Sequence, residues 1–116
     1  MIYAITETTD PLVSYINDDP VRPYIPLDKR VNDTARIFAL MEDDKVLAMV
    51  CAKFCKGVPS NEVQLMDEVS NPDTVVFYTI WSYRAGAGAQ LITEGLEKVK
   101  QEFPNITRFV TLSPCT

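Results

Sequence analysis

Two glycines stand two apart in "SYRAGAGAQLI", residues 82–92 of a 116-residue chain that has only four. If a helix starts at that point, its unpaired amide N–H groups and the positive end of its dipole would attract an anion. The small residues Ala85, Gly86, Ala87, Gly88 and Ala89 would let a phosphate come close to those amides. Arg84, beside them, could clamp the same phosphate with its forked guanidinium. The same small residues would equally let a helix lie tight against a sheet, and the turn taken alone does not choose between the two. It is not a P-loop, which needs a longer glycine loop ending in Lys and Ser or Thr. Nor is it a dinucleotide fingerprint, since the third glycine and an acidic residue about 20 positions on are missing.

Proton transfer has few candidates. The chain has no histidine, which removes Ser-His and Cys-His nucleophiles and the commonest general base. Carboxylates, tyrosine, lysine and water are left. Glu62, Asp67 and Glu68 lie within loop distance of the run before the glycine turn; such groups are ordinarily solvated surface charge, and Glu62 is the candidate base. Cys51, Cys55 and Cys115 are too few and too unevenly placed for a disulfide framework, and Cys51 and Cys55 share one face of a strand-like run. Buried thiols are expected there, and no metal site.

The elements that must position these residues follow from the pattern. "MIYAIT" reads as a short strand, and Asp10 before Pro11 as the cap and first residue of a short helix over "LVSYIND". Three prolines in "DDPVRPYIP" exclude helix there, and "LDKRVND" has room for one helical turn. "ARIFALMEDDKVLAMVCAKFC" is a hairpin hinged at Glu42, Asp43 and Asp44. Its second run is apolar on both alternations, Val46, Ala48, Val50, Ala52 and Phe54 against Leu47, Met49, Cys51 and Cys55, so it belongs in the middle of a sheet. Ser60 is a possible cap for a short segment that docks Leu65, Met66 and Val69. "TVVFYTIWS" is the strongest strand, with Tyr78 and Ile80 on one side and Thr79 and Trp81 on the other. The following helix repeats apolar residues at Ile92, Leu96, Val99 and Phe103 until Pro104 stops it, and "ITRFVTLSP" gives a last strand ended by Pro114. Strand, glycine turn, helix and strand make a βαβ unit with parallel strands.

Composition bounds the rest. With 47% hydrophobic and 23% charged residues and no long polar linker, residues 1–116 read as a single globular domain. A net charge of −5 argues against nucleic acid. No run is long enough to span a membrane and the N-terminus lacks the features of a signal peptide, so a cytoplasmic protein is expected.

"FYTIWSYRAGAGAQLI" resembles the central strand, pyrophosphate loop and helix of the GNAT acyltransferases, whose loop reads Gln/Arg-x-x-Gly-x-Gly/Ala. Fitted on Gly86 and Gly88, its first position falls on Tyr83, with Arg84 beside it. From Val21 to about Pro114 the chain is similar to the GNAT-like catalytic domain of malonyl-CoA decarboxylase, through "VRPYIPLDKRV", "KGVPSNEVQLM", "VVFYTIWS" and above all "QEFPNITRFVTLSP". Between Ser82 and Ile92 it is shorter than that family.

The resemblance implies an α/β (α+β) fold with a mixed, mainly antiparallel sheet around a strand–glycine loop–helix–strand unit. It implies coenzyme A or an acyl-CoA as substrate, the pantetheine arm along Thr79, Ile80 and Trp81, and the pyrophosphate at Arg84, Ala85, Gly86, Ala87, Gly88 and Ala89. Backbone amides near Ile80 and Trp81 would polarise the thioester for an acceptor amine. The decarboxylase needs a histidine beyond the "LSP" run and a serine on the strand that carries Thr79 and Trp81, and this sequence has neither. Expected functions are therefore a CoA-dependent N-acyltransferase of unknown acceptor, a non-catalytic CoA-binding or interaction module, and, last, a decarboxylase-like enzyme. The GNAT segments that would follow the last strand are lacking, and a homodimer is one way to complete the site.

Overall fold

The structure, a computed structural model, describes residues 1–112. In chain order its elements are β1 (Ile2–Ile5), a 3-10 helix (Pro11–Asp18), α1 (Leu27–Arg30), β2 (Ala35–Glu42), β3 (Lys45–Cys55), α2 (Glu62–Met66), β4 (Thr74–Ser82), α3 (Ala87–Glu102) and β5 (Arg108–Thr111). The acidic hairpin forms as expected. Asp43 and Asp44, at φ 50° and 64°, make the two-residue turn whose twist matches that of β2 and β3.

One sheet results, in the order β1-β2-β3-β4-β5, antiparallel throughout except for the parallel β4–β5 pair that α3 connects. This is the mixed, mainly antiparallel architecture read from the sequence, with β3 at its centre. Leu91 and Val99 of α3 pack on one face against Phe38, Leu40, Val50, Phe77 and Ile80. On the other face lie Leu12 and Ile16 of the 3-10 helix, Leu27 of α1, and Leu65 and Met66 of α2, over Ile37, Met49, Cys51 and Trp81.

Two bulges overturn the simple alternation. Leu40 pairs with Ala48 but Met41 with Val46, so Leu47 is the extra residue. Val46 therefore joins Met49 and Cys51 on the short-helix face, and Leu47 packs on the α3 face, the reverse of the expected sides. In β4, Thr79 faces Cys51 while Phe77 faces Ala52, so Tyr78 is extra. Tyr78 and Ile80, expected together, lie on opposite faces. An inserted residue inverts every side chain beyond it.

Smaller corrections have local causes. The Asp10 cap holds, its Oδ1 accepting from Leu12 N–H at 2.9 Å, but the helix it starts is 3-10 in form. Asn61, not Ser60, caps α2: its Oδ1 accepts from Gln64 N–H at 2.9 Å, and Gln64 Oε1 accepts from Ser60 N–H at 2.8 Å. In α3 the fully buried line is Gly88, Leu91, Gly95 and Val99, with Ile92, Leu96 and Phe103 flanking it half-buried. Of the expected set Val99 lies on the centre line and the others mark its edge; Gly88 and Gly95 on that line are too small to register in a periodicity. Cys51 and Cys55 are buried thiols, whereas Pro114 and Cys115 lie outside the described residues. Among the described residues no helix is long and apolar enough to cross a membrane.

Candidate functional site

The proline-rich connection before α1 cannot hold itself by helical hydrogen bonds. A buried ion pair holds it. Arg30, fully buried, donates from Nη1 to Asp19 Oδ2 at 2.9 Å, from Nε to Ile25 O at 2.8 Å and from Nη2 to Arg22 O at 2.7 Å. Asp19 Oδ1 accepts from the Val21 and Arg22 amides at 2.8 and 3.0 Å and from Thr79 Oγ1 at 2.8 Å. Burial by itself would raise the Asp19 carboxyl, but these donors outweigh it and hold the group below its ordinary range. Burial acts on Cys51 too, and the Arg30 guanidinium beside it offsets it only in part, so the thiol is pushed up to about 11 and is no nucleophile at neutral pH.

An acid titration follows from this arrangement. The Asp19 carboxyl is more acidic in the folded than in the unfolded chain. Its stabilisation is therefore complete above the unfolded value of 3.8 and is lost as pH falls through that value toward the folded one. Asp73, whose carboxylate accepts from Gly57 N–H and Thr74 Oγ1, is lowered in the same sense. Thermal melts between pH 7 and pH 3 are expected to lose stability mainly below about pH 4. Asp19→Asn should make that decline shallower, and an unchanged decline would remove Asp19 from the account.

With the connection fixed, two of its side chains reach β4. Arg22 donates from Nη1 to Tyr78 O, at the bulge, and from Nε to Glu62 Oε1 at 3.0 Å. Tyr24 OH donates to the same Glu62 oxygen, which raises the tyrosine pKa. Asp18 Oδ2 accepts from Tyr83 OH at 2.6 Å, and Tyr83 OH in turn accepts from Trp81 Nε1 at 3.0 Å. Partial burial, then the Asp18 bond, push Tyr83 up to about 12. Glu62 thus stands at the bulge of β4, bridged to it by one guanidinium.

The glycine turn opens on the other end of β4. Gly86, at φ 81°, takes the left-handed conformation that glycine adopts without strain and caps α3 with no side chain. Ala87 N–H donates to Arg84 O and Gln90 N–H to Gly86 O. Among the described residues the amides of Gly86, Gly88 and Ala89 have no acceptor. Ala85 and Ala89 are exposed, and Ala87 and Gly88 are buried against the sheet. Arg84 donates to Glu42 Oε2 at 2.6 Å, and both side chains are about half exposed, a pair too weak to hold it from a phosphate.

Along β4 the three candidate residues separate. Tyr83 N–H donates to Leu47 O at 2.8 Å. By the two-residue alternation of an antiparallel ladder, Thr79 and Trp81 turn their amides toward β3, and Ile80 turns its amide toward the β5 side. Among the described residues the pairing with β5 ends at Phe77, whose O accepts from Leu112 N–H at 3.0 Å. The Ile80 amide lies past the last described pair. Thr79 spends its hydroxyl on Asp19, and of the two amides expected near a thioester that of Trp81 turns to β3 and that of Ile80 to the opposite side. A cleft of about 530 Å³ beside Phe54, Phe103 and Ile106 lies at the opposite end of β4, away from these groups.

A helix N-terminus whose first amides have no acceptor among the described residues suits an anion. No family model and no curated relative matches the sequence, but solved structures do. Malonyl-CoA decarboxylase from Agrobacterium vitis is 25% identical with a TM-score of 0.83, over 98% of this chain and 33% of that one. The same enzyme from Rhodopseudomonas palustris is 26% identical with a TM-score of 0.73, over 98% and 33%. This chain has the GNAT fold. An aminoglycoside N-acetyltransferase in complex with CoA shares the GNAT fold at 14% identity and a TM-score of 0.59, over 98% of this chain and 79% of that one. The chain spans about a third of the length of the decarboxylases. In GNAT terms, β4, the Gly86 turn and α3 are the central unit.

Sequence reading missed Asp18, Asp19, Arg22, Tyr24, Arg30 and Tyr83 as a connected group. The signal available was the tandem Asp18–Asp19 ahead of two arginines, Arg22 and Arg30, in a stretch where nothing else could organise the backbone.

Proposed function

We propose that the chain binds an acyl-CoA beside Ile80 and passes the acyl group to an amine, as a CoA-dependent N-acyltransferase. The observation that carries this reading is the set of amides at Gly86, Gly88 and Ala89 at the positive end of a 16-residue helix. They suit a pyrophosphate, and the pantetheine arm would continue from them along the Ile80 side of β4. The Ile80 amide then donates to the thioester carbonyl, where charge develops during attack. The amine nitrogen bonds to the carbonyl carbon, the C–S bond breaks, and CoA leaves as its thiolate. The proton lost from nitrogen passes to Glu62 directly or through water. A neighbour of the same fold that holds CoA supports the choice of ligand.

Calorimetric titration with acetyl-CoA, malonyl-CoA and CoA tests the proposal. Saturable binding of all three is expected, since the pyrophosphate and pantetheine are common to them. No heat at millimolar ligand would refute it, and binding without turnover on any amine would leave a CoA-binding module. Glu62→Gln should keep the CoA affinity and lower kcat by about a hundredfold if Glu62 is the base; equal turnover would assign the proton to water.

A further inference from the structure

We infer that the cleft of about 530 Å³ at the start of β4 binds a small aromatic cation of the amidinium or guanidinium class. This site is separate from the glycine turn, and the inference stands independently of the acyl-CoA reading.

Four segments far apart in the sequence build the cleft: the turn before β2, the end of β3, the loop into β4, and the end of α3 with the loop after it. Its volume is in the range of roughly 300–1,000 Å³ that small-molecule sites occupy. Phe54 and Phe103 form the apolar wall, their ring centroids 4.7 Å apart and the rings tilted by 44°, and Ile106 belongs to the same apolar cluster.

Charge decides the occupant. Asp33, Asp73 and Glu102 line this cleft, and no lysine or arginine does. Asp33 has no hydrogen bond or ion pair among the described residues. Asp73 takes both of its bonds, from Gly57 N–H and Thr74 Oγ1, on Oδ1 at 2.8 Å each, and they hold its carboxyl below the usual range and therefore charged at neutral pH. Lys56 and Arg108 act on Asp73 electrostatically but stand outside the lining. Glu102 accepts from Lys98 Nζ on Oε1 at 2.8 Å, which leaves Oε2 without a donor. At the end of α3, Phe103 N–H donates to Val99 O, Pro104 has no N–H, and Ile106 N–H donates to Phe103 O, so the last helical carbonyls keep the negative end of the dipole uncompensated. An anion would be repelled here, and a compact inorganic cation would leave the two rings unmatched. A planar cation with forked N–H donors on an aromatic body meets both the acceptors and the rings.

NMR titration of the isotope-labelled chain with benzamidine, its neutral counterpart benzamide, and benzoate tests the inference. Benzamidine should shift the Asn71, Asp73, Asn105 and Ile106 amides saturably and bind about tenfold or more tightly than benzamide, with no saturable shift from benzoate. The double variant Asp33→Asn with Glu102→Gln changes two exposed side chains and leaves the phenylalanine wall intact; it should weaken benzamidine by about tenfold. Added salt should weaken benzamidine and leave benzamide unchanged. Equal affinity for benzamidine and benzamide, an unchanged affinity in the double variant, indifference of benzamidine to salt, or no saturable shift at those four amides overturns the inference. Shifts of the Gly86, Gly88 and Ala89 amides with CoA report on the acyl-CoA reading separately.

Discussion

Arg30→Met is expected to destabilise the fold by about 3–5 kcal/mol, the largest effect of any single change away from the hydrophobic core. Methionine fills most of the arginine's volume, so the loss is not mainly one of packing. It strands the Asp19 carboxylate, fully buried, without its cation, and takes the donors from Ile25 O and Arg22 O. Against a total stability of about 5–15 kcal/mol for an ordinary domain, that is a large share. Arg30→Lys should recover little, because one ammonium cannot reproduce a fork that reaches a carboxylate and two carbonyls in different directions. The paired variant Asp19→Asn with Arg30→Met is expected to lose less than the sum of the single losses, since neither charge is then left buried by itself. Urea unfolding at pH 7 measures all four proteins. A change below about 1 kcal/mol for Arg30→Met, as for an exposed ion pair, would show that the pair is not sealed from water.

Ala89→Asp is expected to move stability and ligand binding in opposite directions. Ala89 is exposed in the first turn of α3, where a carboxylate interacts favourably with the helix dipole and adds about 0.3–1 kcal/mol. The same carboxylate would compete for the amides that the pyrophosphate needs and repel its charge. At about 4 Å and an effective dielectric near 20, one such repulsion is roughly 4 kcal/mol before screening. A loss of CoA affinity of well over tenfold is therefore expected, measured by calorimetry on a protein that melts no lower than the parent. Replacing Gly88 with valine is a less discriminating test, because Gly88 is buried against the sheet and the variant could weaken binding by disturbing α3. Unchanged CoA affinity in Ala89→Asp would place the pyrophosphate elsewhere and leave the glycine turn a packing device.

On the acyl-CoA reading the tight turn would serve both roles that its residue types permit. Ala87 and Gly88 face the sheet and let α3 lie on it, whereas Gly86 and Ala89 leave their amides toward solvent. The choice posed by "AGAGA" was between two readings of five residues, and the helix divides them by position.

How far the sequence reached depended on the range of the forces involved. Local patterns were legible: the acidic hairpin turn, the doubly apolar β3, the cap at Asp10, and the βαβ unit around Gly86. Each follows from residues within a few positions of one another, through backbone sterics, capping or side-chain periodicity. The bulges at Leu47 and Tyr78 were not legible, because an extra residue in one strand is defined only against its partner strand. The site depended on the same kind of information. Glu62 could be named as a carboxylate near β4, but its anchoring by Arg22 joins residues 40 positions apart, and the Asp19–Thr79 bond joins residues 60 apart. The side to which each amide of β4 turns likewise depended on the strand's register. By itself the sequence determined the elements and the open helix end; tertiary pairing decided which side chains and amides meet there, since long-range contacts leave no periodic trace in the chain that makes them.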